Sequence, residues 1–404
     1  MIKLLPLSET LTALRKTSCP NCRGRRIENF FNVRHAPSKS LITIKNRRDA
    51  LAIPRRKISL AFCNDCGFIF NSTFDRSLDH YTQGYEDQQG FSGTFRKFLT
   101  EVSGRVIEKY QVFNKDIIEI GCGKGDFLSL ICELGNNRGI GIDPAYVPGR
   151  LSSNPNLKFI REFYSVGHRH LPKDLISCRH TLEHIPLTHE FISTVRRSIG
   201  GDEKVILFFE VPNVTRILKV QAFWDIFYEH CSYFSPGSLA RLFRQNYFEV
   251  LDLYLEYDNQ YLFIEARPVS EKSTRVHPLE ESVDKLRASL SDFTEKIGKQ
   301  LSVWRERLIR FQRDHKTVVI WGGGSKSVGF LTQFDDLKLI RHVVDINPHM
   351  QGNFIPGIGI QYISPDALKE VQPDIVLVMN GVYREEIRKM LNERDLFPEL
   401  ICLD

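Results

Sequence analysis

From about residue 116 onward, short apolar runs alternate with stretches whose apolar positions recur at helical spacing. The first run, Ile117 to Ile120, is broken only by Glu119, and a glycine-rich turn follows at Gly121, Gly123 and Gly125. An amphipathic stretch from about Asp126 to Leu134 leads to a second apolar run, Gly139 to Ile142, which ends in Asp143. This predicts strand, tight turn, helix and strand in succession. Further strands are predicted at 157–160, 174–178 and 205–212, a helix carries Phe191, Val195 and Ile199, and another runs from about Ser235 to Gln245. Two last runs, 248–257 and 261–268, read as an antiparallel pair joined at Asp258-Asn259. Such alternation predicts an α/β fold with a doubly wound sheet and a terminal hairpin, with ligands at the C-terminal ends of the strands.

Beyond the hairpin, apolar residues recur in steps of three and four from Leu279 to Phe311. One long amphipathic helix is expected, lying across the flanking domains or pairing with a second chain. The strand 318–321 then enters Gly322-Gly323-Gly324-Ser325-Lys326, another run ends at Asp345, and 374–379 leads to Asn380 and Tyr383. These predict a second, smaller Rossmann-like unit. The expected organisation is a module over residues 1–78, a main domain over 79–268, a linker helix within 269–315 and a C-terminal domain over 316–404.

Two C-x-x-C pairs lie upstream, Cys19 with Cys22 and Cys63 with Cys66. Each pair can present two thiolates to one tetrahedral ion, and together they make a closed four-cysteine site of the structural zinc type. A redox pair needs no partner pair, so zinc is the expected ligand. No apolar run approaches the ~20 residues of a membrane span. The N-terminal residues 1–16 are too mixed for a signal peptide, and a cytoplasmic location is expected. The net charge of +6 is uneven, since eleven Lys or Arg stand against Glu28 and Asp49 between Arg23 and Lys57. That segment is a solvated basic face, or a contact for nucleic acid or a nucleotide diphosphate.

The Gly turn admits two readings. A dinucleotide site has G-x-G-x-x-G, whereas this chain has Gly121-Cys122-Gly123-Lys124-Gly125 with Glu119 two residues before the first glycine. This spacing resembles motif I of the class I methyltransferases that use S-adenosylmethionine (SAM). The resemblance implies cofactor contacts from Glu119, Gly121, Cys122, Gly123, Gly125, Asp143 and Pro144, with Asp143 on the ribose. It adds His180 and Leu182, from the loop after the fourth strand.

Between a strand and a helix lies Phe223-Trp224-Asp225-Ile226-Phe227-Tyr228-Glu229-His230, rich in aromatics beside a Glu-His pair. Aromatics can wall a pocket or fill a core. An imidazole, with a pKa near ~6.5, can take a proton near neutrality. With the segment through Ser235, this resembles the Y-H-E-H-x-S-Y-F-S stretch of the three-domain sugar C-methyltransferases of deoxysugar pathways. The run Asp345-Ile346-Asn347-Pro348 through Pro356-Gly357 is similar to their C-terminal D-x-N-P signature, and both cysteine pairs and Arg179-His180-Thr181-Leu182-Glu183-His184 fit in order. The resemblance implies a class I SAM methyltransferase sheet between an N-terminal zinc module and a C-terminal Rossmann-like domain.

In that family the residue matching His230 takes the proton α to the ketone of a nucleotide-linked 4-keto sugar, and the enolate takes the methyl. His180, Tyr228 and Glu229 are the further expected active-site residues, and Asn213, Lys326, Asn380 and Tyr383 the expected substrate contacts. One departure stands out: Phe227 replaces the family's tyrosine and Tyr228 its histidine. An O- or N-methyltransferase of the same architecture therefore stays open, as do a zinc-ribbon nucleic-acid binder and a nicotinamide enzyme using the C-terminal glycines. The expected partner is a small molecule, in a monomer or homodimer.

Overall fold

The structure is a computed structural model that describes residues 18–78, 84–151 and 154–403; the N-terminal stretch read for signal-peptide character lies outside them. Strands β1 (Ile27–Pro37), β2 (Arg55–Cys63) and β3 (Ile69–Asn71) form an antiparallel sheet. The middle of the chain supplies β4 (Asp116–Ile120), β5 (Arg138–Ile142), β6 (Leu157–Ile160), β7 (Leu175–Arg179), β8 (Ile206–Pro212), β9 (Ser232–Tyr233), β10 (Phe248–Glu256) and β11 (Tyr261–Pro268). Seven of these make one sheet in the order β10-β11-β8-β7-β4-β5-β6, in which β11 alone runs against its neighbours. The eighth, β9, leaves this sheet and pairs Tyr233 with Ile69 of β3, so the segment just after His230 is hydrogen-bonded to the first sheet. A third, all-parallel sheet follows: β12 (Val318–Trp321), β13 (His342–Val344), β14 (Gln361–Ile363), β15 (Ile375–Val378) and β16 (Glu399–Cys402), in the order β14-β13-β12-β15-β16.

The central strands carry apolar residues on both faces because helices cover both. In β4, Ile117, Ile118 and Ile120 are all buried, and Glu119 with them. The strand gives way to the helix Asp126–Gly135, which buries Phe127, Leu128, Ile131 and Cys132. Its start demands glycine: Gly125 has φ +90°, and a Cβ there would lie 2.7 Å from the Phe159 ring.

The long helix spans Val283–Arg313 and begins four residues later than the periodicity suggested. Ser282 caps it by accepting from the Lys285 N–H. The two residues before the cap are engaged elsewhere: Glu280 holds Arg244 through two bonds of 2.6 Å, and Glu281 accepts from Ser235 and the Gly237 N–H. The helix packs within the chain. Phe293 meets Phe30 and Phe31 of β1 edge-on, while Trp304 meets Phe330 of the helix Ser325–Phe334. Each such buried side chain contributes about 1.5–3 kcal/mol.

The same helix Ser325–Phe334 receives Phe223 and Trp224, both fully buried. These two aromatics are core between the first and third sheets, and of the segment's aromatic rings only Phe227 faces the cavity, beside Asp225 and His230. Gly329 permits the contact, because a Cβ there would sit 2.3 Å from the Trp224 carbonyl oxygen. Among the described residues, no helix is long and apolar enough to cross a membrane.

Candidate active site

The C-terminal ends of β4, β7 and β8 open into a cavity of about 390 Å³ that the third sheet closes from the other side. Gly121, Cys122, Gly123, His180, Asn213 and His230 line it from one side, and Gly322, Gly323, Gly324, Lys326, Asn380 and Tyr383 from the other. Glu119 also lines it, whereas Gly125, Asp143, Pro144, Leu182, Tyr228 and Glu229 do not.

The glycine turn is built around Asp143. Its carboxylate accepts the N–H of Gly123 at 2.9 Å and of Ala145 at 2.7 Å, which fixes the turn to the end of β5. Each oxygen keeps lone pairs for a further donor such as a ribose hydroxyl. Burial pushes the Glu119 carboxyl up to about 8, and one of its oxygens has no hydrogen-bond partner. Leu182 is fully buried core. A segment with no sequence signal, residues 84–92, also lines the cavity. Its Glu86 binds Arg150 and the Asn347 amide, while Lys124, nearly buried, donates to the Tyr85 carbonyl.

His180 stands just past β7 with φ +46°, a left-handed backbone rare for side chains with a Cβ. Its Nε2 lies 3.1 Å from Glu210 and its Nδ1 3.5 Å from Glu183. Glu210 also accepts from Arg179, whose guanidinium lies 4.4 Å over the Phe127 ring. Burial alone would raise Glu210, but Arg179 and His180 hold it below the usual carboxylate range. Burial alone would lower His180, but Glu210 and Glu183 raise it to about 9. His230 is the opposite case: burial, then the neighbouring His184 and His180, press its pKa well below the usual value. The Phe227 ring lies over His230 with centroids 4.0 Å apart. Glu210 was not foreseen, although an acid inside the apolar run 205–212 was its visible trace.

The other expected catalytic residues face elsewhere. The Tyr228 hydroxyl accepts the Asp75 N–H at 2.8 Å and its ring packs on Phe74, so the displaced phenol belongs to the first sheet's surroundings. Glu229 accepts from the Ser40 hydroxyl and, at 2.7 Å, from its N–H. Ser40 in turn lies 3.0 Å from the Ser325 hydroxyl, so Glu229 fastens the N-terminal module to the C-terminal helix. Of the expected substrate contacts, Asn213 caps the helix Val214–Val220 through Thr215, Lys326 pairs with Asp225 at 2.7 Å, and Asn380 exchanges two amide bonds with Gln260. Tyr383 donates to Gln89 at 3.3 Å. The third sheet repeats the Asp143 arrangement, with Asp345 accepting from Gly323 at 2.9 Å and Asn347 at 2.8 Å.

Away from the cavity, Cys19, Cys22, Cys63 and Cys66 bring their sulfurs within 4.8 Å of one another. The pairs Cys19–Cys66 and Cys22–Cys63 are 3.7 and 3.6 Å apart, too long for a disulfide near 2.05 Å. They suit the edge of roughly 3.8 Å that a tetrahedron with ~2.3 Å zinc–sulfur bonds requires. The N–H groups of Asn21 and Gly24 point at two of the sulfurs. Four cysteines so arranged can hold a structural zinc.

Known proteins that this chain resembles are methyltransferases. Residues 93–253 match the family model of a methyltransferase domain, and residues 265–395 that of a C-methyltransferase C-terminal domain. The C-methyltransferase NovU of Streptomyces niveus is 26% identical over 312 residues, covering 73% of this chain and 74% of that protein. Among solved structures, the riboflavin-derivative dimethyltransferase RosA of Streptomyces davawensis is 13% identical, covers 43% of this chain and 56% of its own, and gives a TM-score of 0.34. Magnesium protoporphyrin IX methyltransferase of Synechocystis, solved with bound SAH, is 13% identical over 44% of this chain and 84% of its own, with a TM-score of 0.33.

Proposed function

For a chain that is a SAM-dependent methyltransferase, we propose that the methyl goes to carbon, on a small nucleotide-linked keto sugar, after His230 removes the proton α to the ketone. When bound, SAM supplies a methyl that a carbon nucleophile can displace from sulfur. Asp143 would accept from its ribose and the turn Gly121–Gly123 would leave room for its backbone. Generating the nucleophile falls to the chain's own residues.

The observation that carries the reading is the division of charge between two imidazoles in one cavity. His230, neutral by burial, is the form that takes a proton. His180, kept protonated by Glu210 and Glu183, is the form that donates to an oxygen on which charge develops. A carbon acid needs both at once: a base for its proton and a donor for the enolate oxygen. His180 as that donor is part of this proposal. Phe227 supports it by giving His230 an apolar neighbour and no competing phenol.

The nucleotide part of the substrate is proposed to lie on the third sheet. The helix Ser325–Phe334 starts at Gly324 with no side chain capping it, and its first turn lines the cavity. Uncapped N–H groups there suit a diphosphate. Lys326 would join it by giving up Asp225. The four cysteines are proposed to hold zinc that folds the N-terminal module.

The test is solvent hydrogen exchange. In deuterated buffer without SAM, the protein should wash deuterium into the α position of a nucleotide-linked 4-keto sugar, and His230→Ala should not. Methyl transfer without any such exchange, undiminished in His230→Ala, sinks the carbon-acid reading and leaves an oxygen or nitrogen acceptor.

A further inference from the structure

Glu183, His184 and His230 meet at one point of the cavity wall, and one donor atom from each lies within 4.8 Å of the other two. We propose that this trio is a second binding site for a divalent transition-metal ion such as Zn²⁺, separate from the four cysteines, and that an ion there and proton abstraction by His230 exclude each other. The second half rests on the base reading given above; the first does not.

Glu183 is the primary observation. It is 1% exposed, and neither carboxylate oxygen has a hydrogen-bond partner. The imidazoles nearest it stand back, His180 at 3.5 Å and His230 at 4.0 Å. His180 faces this carboxylate only across 3.5 Å, a buried carboxylate without hydrogen bonds is costly, and a dication shared with the imidazoles of His184 and His230 would supply the missing contacts. His184 gives an independent sign. Its Nδ1 lies 3.0 Å from the Glu229 carbonyl, which can only accept, so Nδ1 carries the hydrogen and Nε2 the lone pair. A backbone carbonyl behind one ring nitrogen is how ligating imidazoles are commonly oriented. The approach is also rigid. Glu183 and His184 share one short turn after β7, and the Cys231 N–H donates to the Glu183 carbonyl at 3.0 Å, tying the His230 segment to it.

Two imidazoles and one carboxylate are the donor set of open zinc sites, which keep a position for a further ligand. Here that position would face the cavity. His180, 3.5 Å from Glu183, would oppose the ion when protonated, but Glu210, 3.1 Å away on its other side, offsets this. An ion bound at Nε2 of His230 occupies the lone pair that a base must use.

The test uses the full-length protein with its cysteine-bound zinc retained and looser metal removed by a mild chelator. Titration with Co²⁺ should show one further equivalent with visible ligand-field absorption and no sulfur-to-cobalt charge-transfer band. Glu183→Gln and His184→Gln should each lose it while still binding SAM. X-ray absorption at the cobalt edge of the unmodified protein should show imidazole and oxygen neighbours only. No further equivalent, a sulfur neighbour, or full binding in both variants overturns the site. In the deuterium assay, exchange should fall in step with cobalt loading, and exchange unchanged at full loading overturns the exclusion. Absence of exchange from the metal-free protein would instead sink the base reading, with the cobalt spectra still deciding the site.

Discussion

The burden at the residue scale falls on a few titratable groups whose surroundings push them apart. His230→Ala should leave SAM affinity unchanged in calorimetric titration and abolish turnover. Asp143→Ala removes a charge-assisted acceptor of ~1.5–3 kcal/mol, so SAM affinity should fall about 10- to 100-fold. With His180 raised to about 9, α-proton exchange should decline above pH 9 as that proton is lost, and His180→Gln should remove the alkaline limb. Glu119 gives a stability prediction. Its folded pKa of about 8 exceeds the ordinary 4.5, so the folded state binds this proton more tightly than the unfolded state. That contribution is full below about pH 4.5 and is lost as pH rises through 8. Without ligand, Glu119→Gln should therefore gain stability relative to the parent chain between pH 5 and pH 9 in denaturant unfolding. The glycine turn after β4, the place of Asp143 after β5 and the Glu-His pair before β9 were legible as positions in the fold, because turns, strand ends and Glu-His neighbours leave local patterns. The partners of Tyr228 and Glu229 were not, since Asp75 and Ser40 lie over 150 residues away in sequence.

Elements explain why the His230 segment stays in place. Strand β9 leaves the central sheet for the first one, and Gly329 lets the helix Ser325–Phe334 press on the Trp224 backbone. Gly329→Ala forces a Cβ to within 2.3 Å of a carbonyl oxygen, and overpacking of this kind costs about 1–3 kcal/mol. The thermal midpoint should drop. Periodicity gave the strands of the central sheet and the long helix closely. It misplaced the helix start, because Glu280 and Glu281 carry helical spacing but bind Arg244, Ser235 and the Gly237 N–H instead. A two-residue strand such as β9 leaves no periodic signal to read.

At the scale of the whole molecule the second and third sheets close on the cavity, and the first sheet is tied to the cavity wall through β9, next to His230. Ser40 joins Glu229 to Ser325, and β3 joins β9, so loosening the N-terminal module should loosen the His230 segment. If the four cysteines hold zinc and the Gly turn and Asp143 hold SAM, as proposed above, Cys63→Ser should release the zinc and cut turnover while SAM affinity stays near normal. The central claim is that a carbon atom receives the methyl. It is tested most directly by incubating the protein with ¹³C-methyl SAM and a uniformly ¹³C-labelled nucleotide-linked keto sugar and recording the product's carbon spectrum. The account predicts a methyl signal split by one-bond coupling to a ring carbon. A methyl signal without that coupling, from a methyl on oxygen or nitrogen, would contradict it.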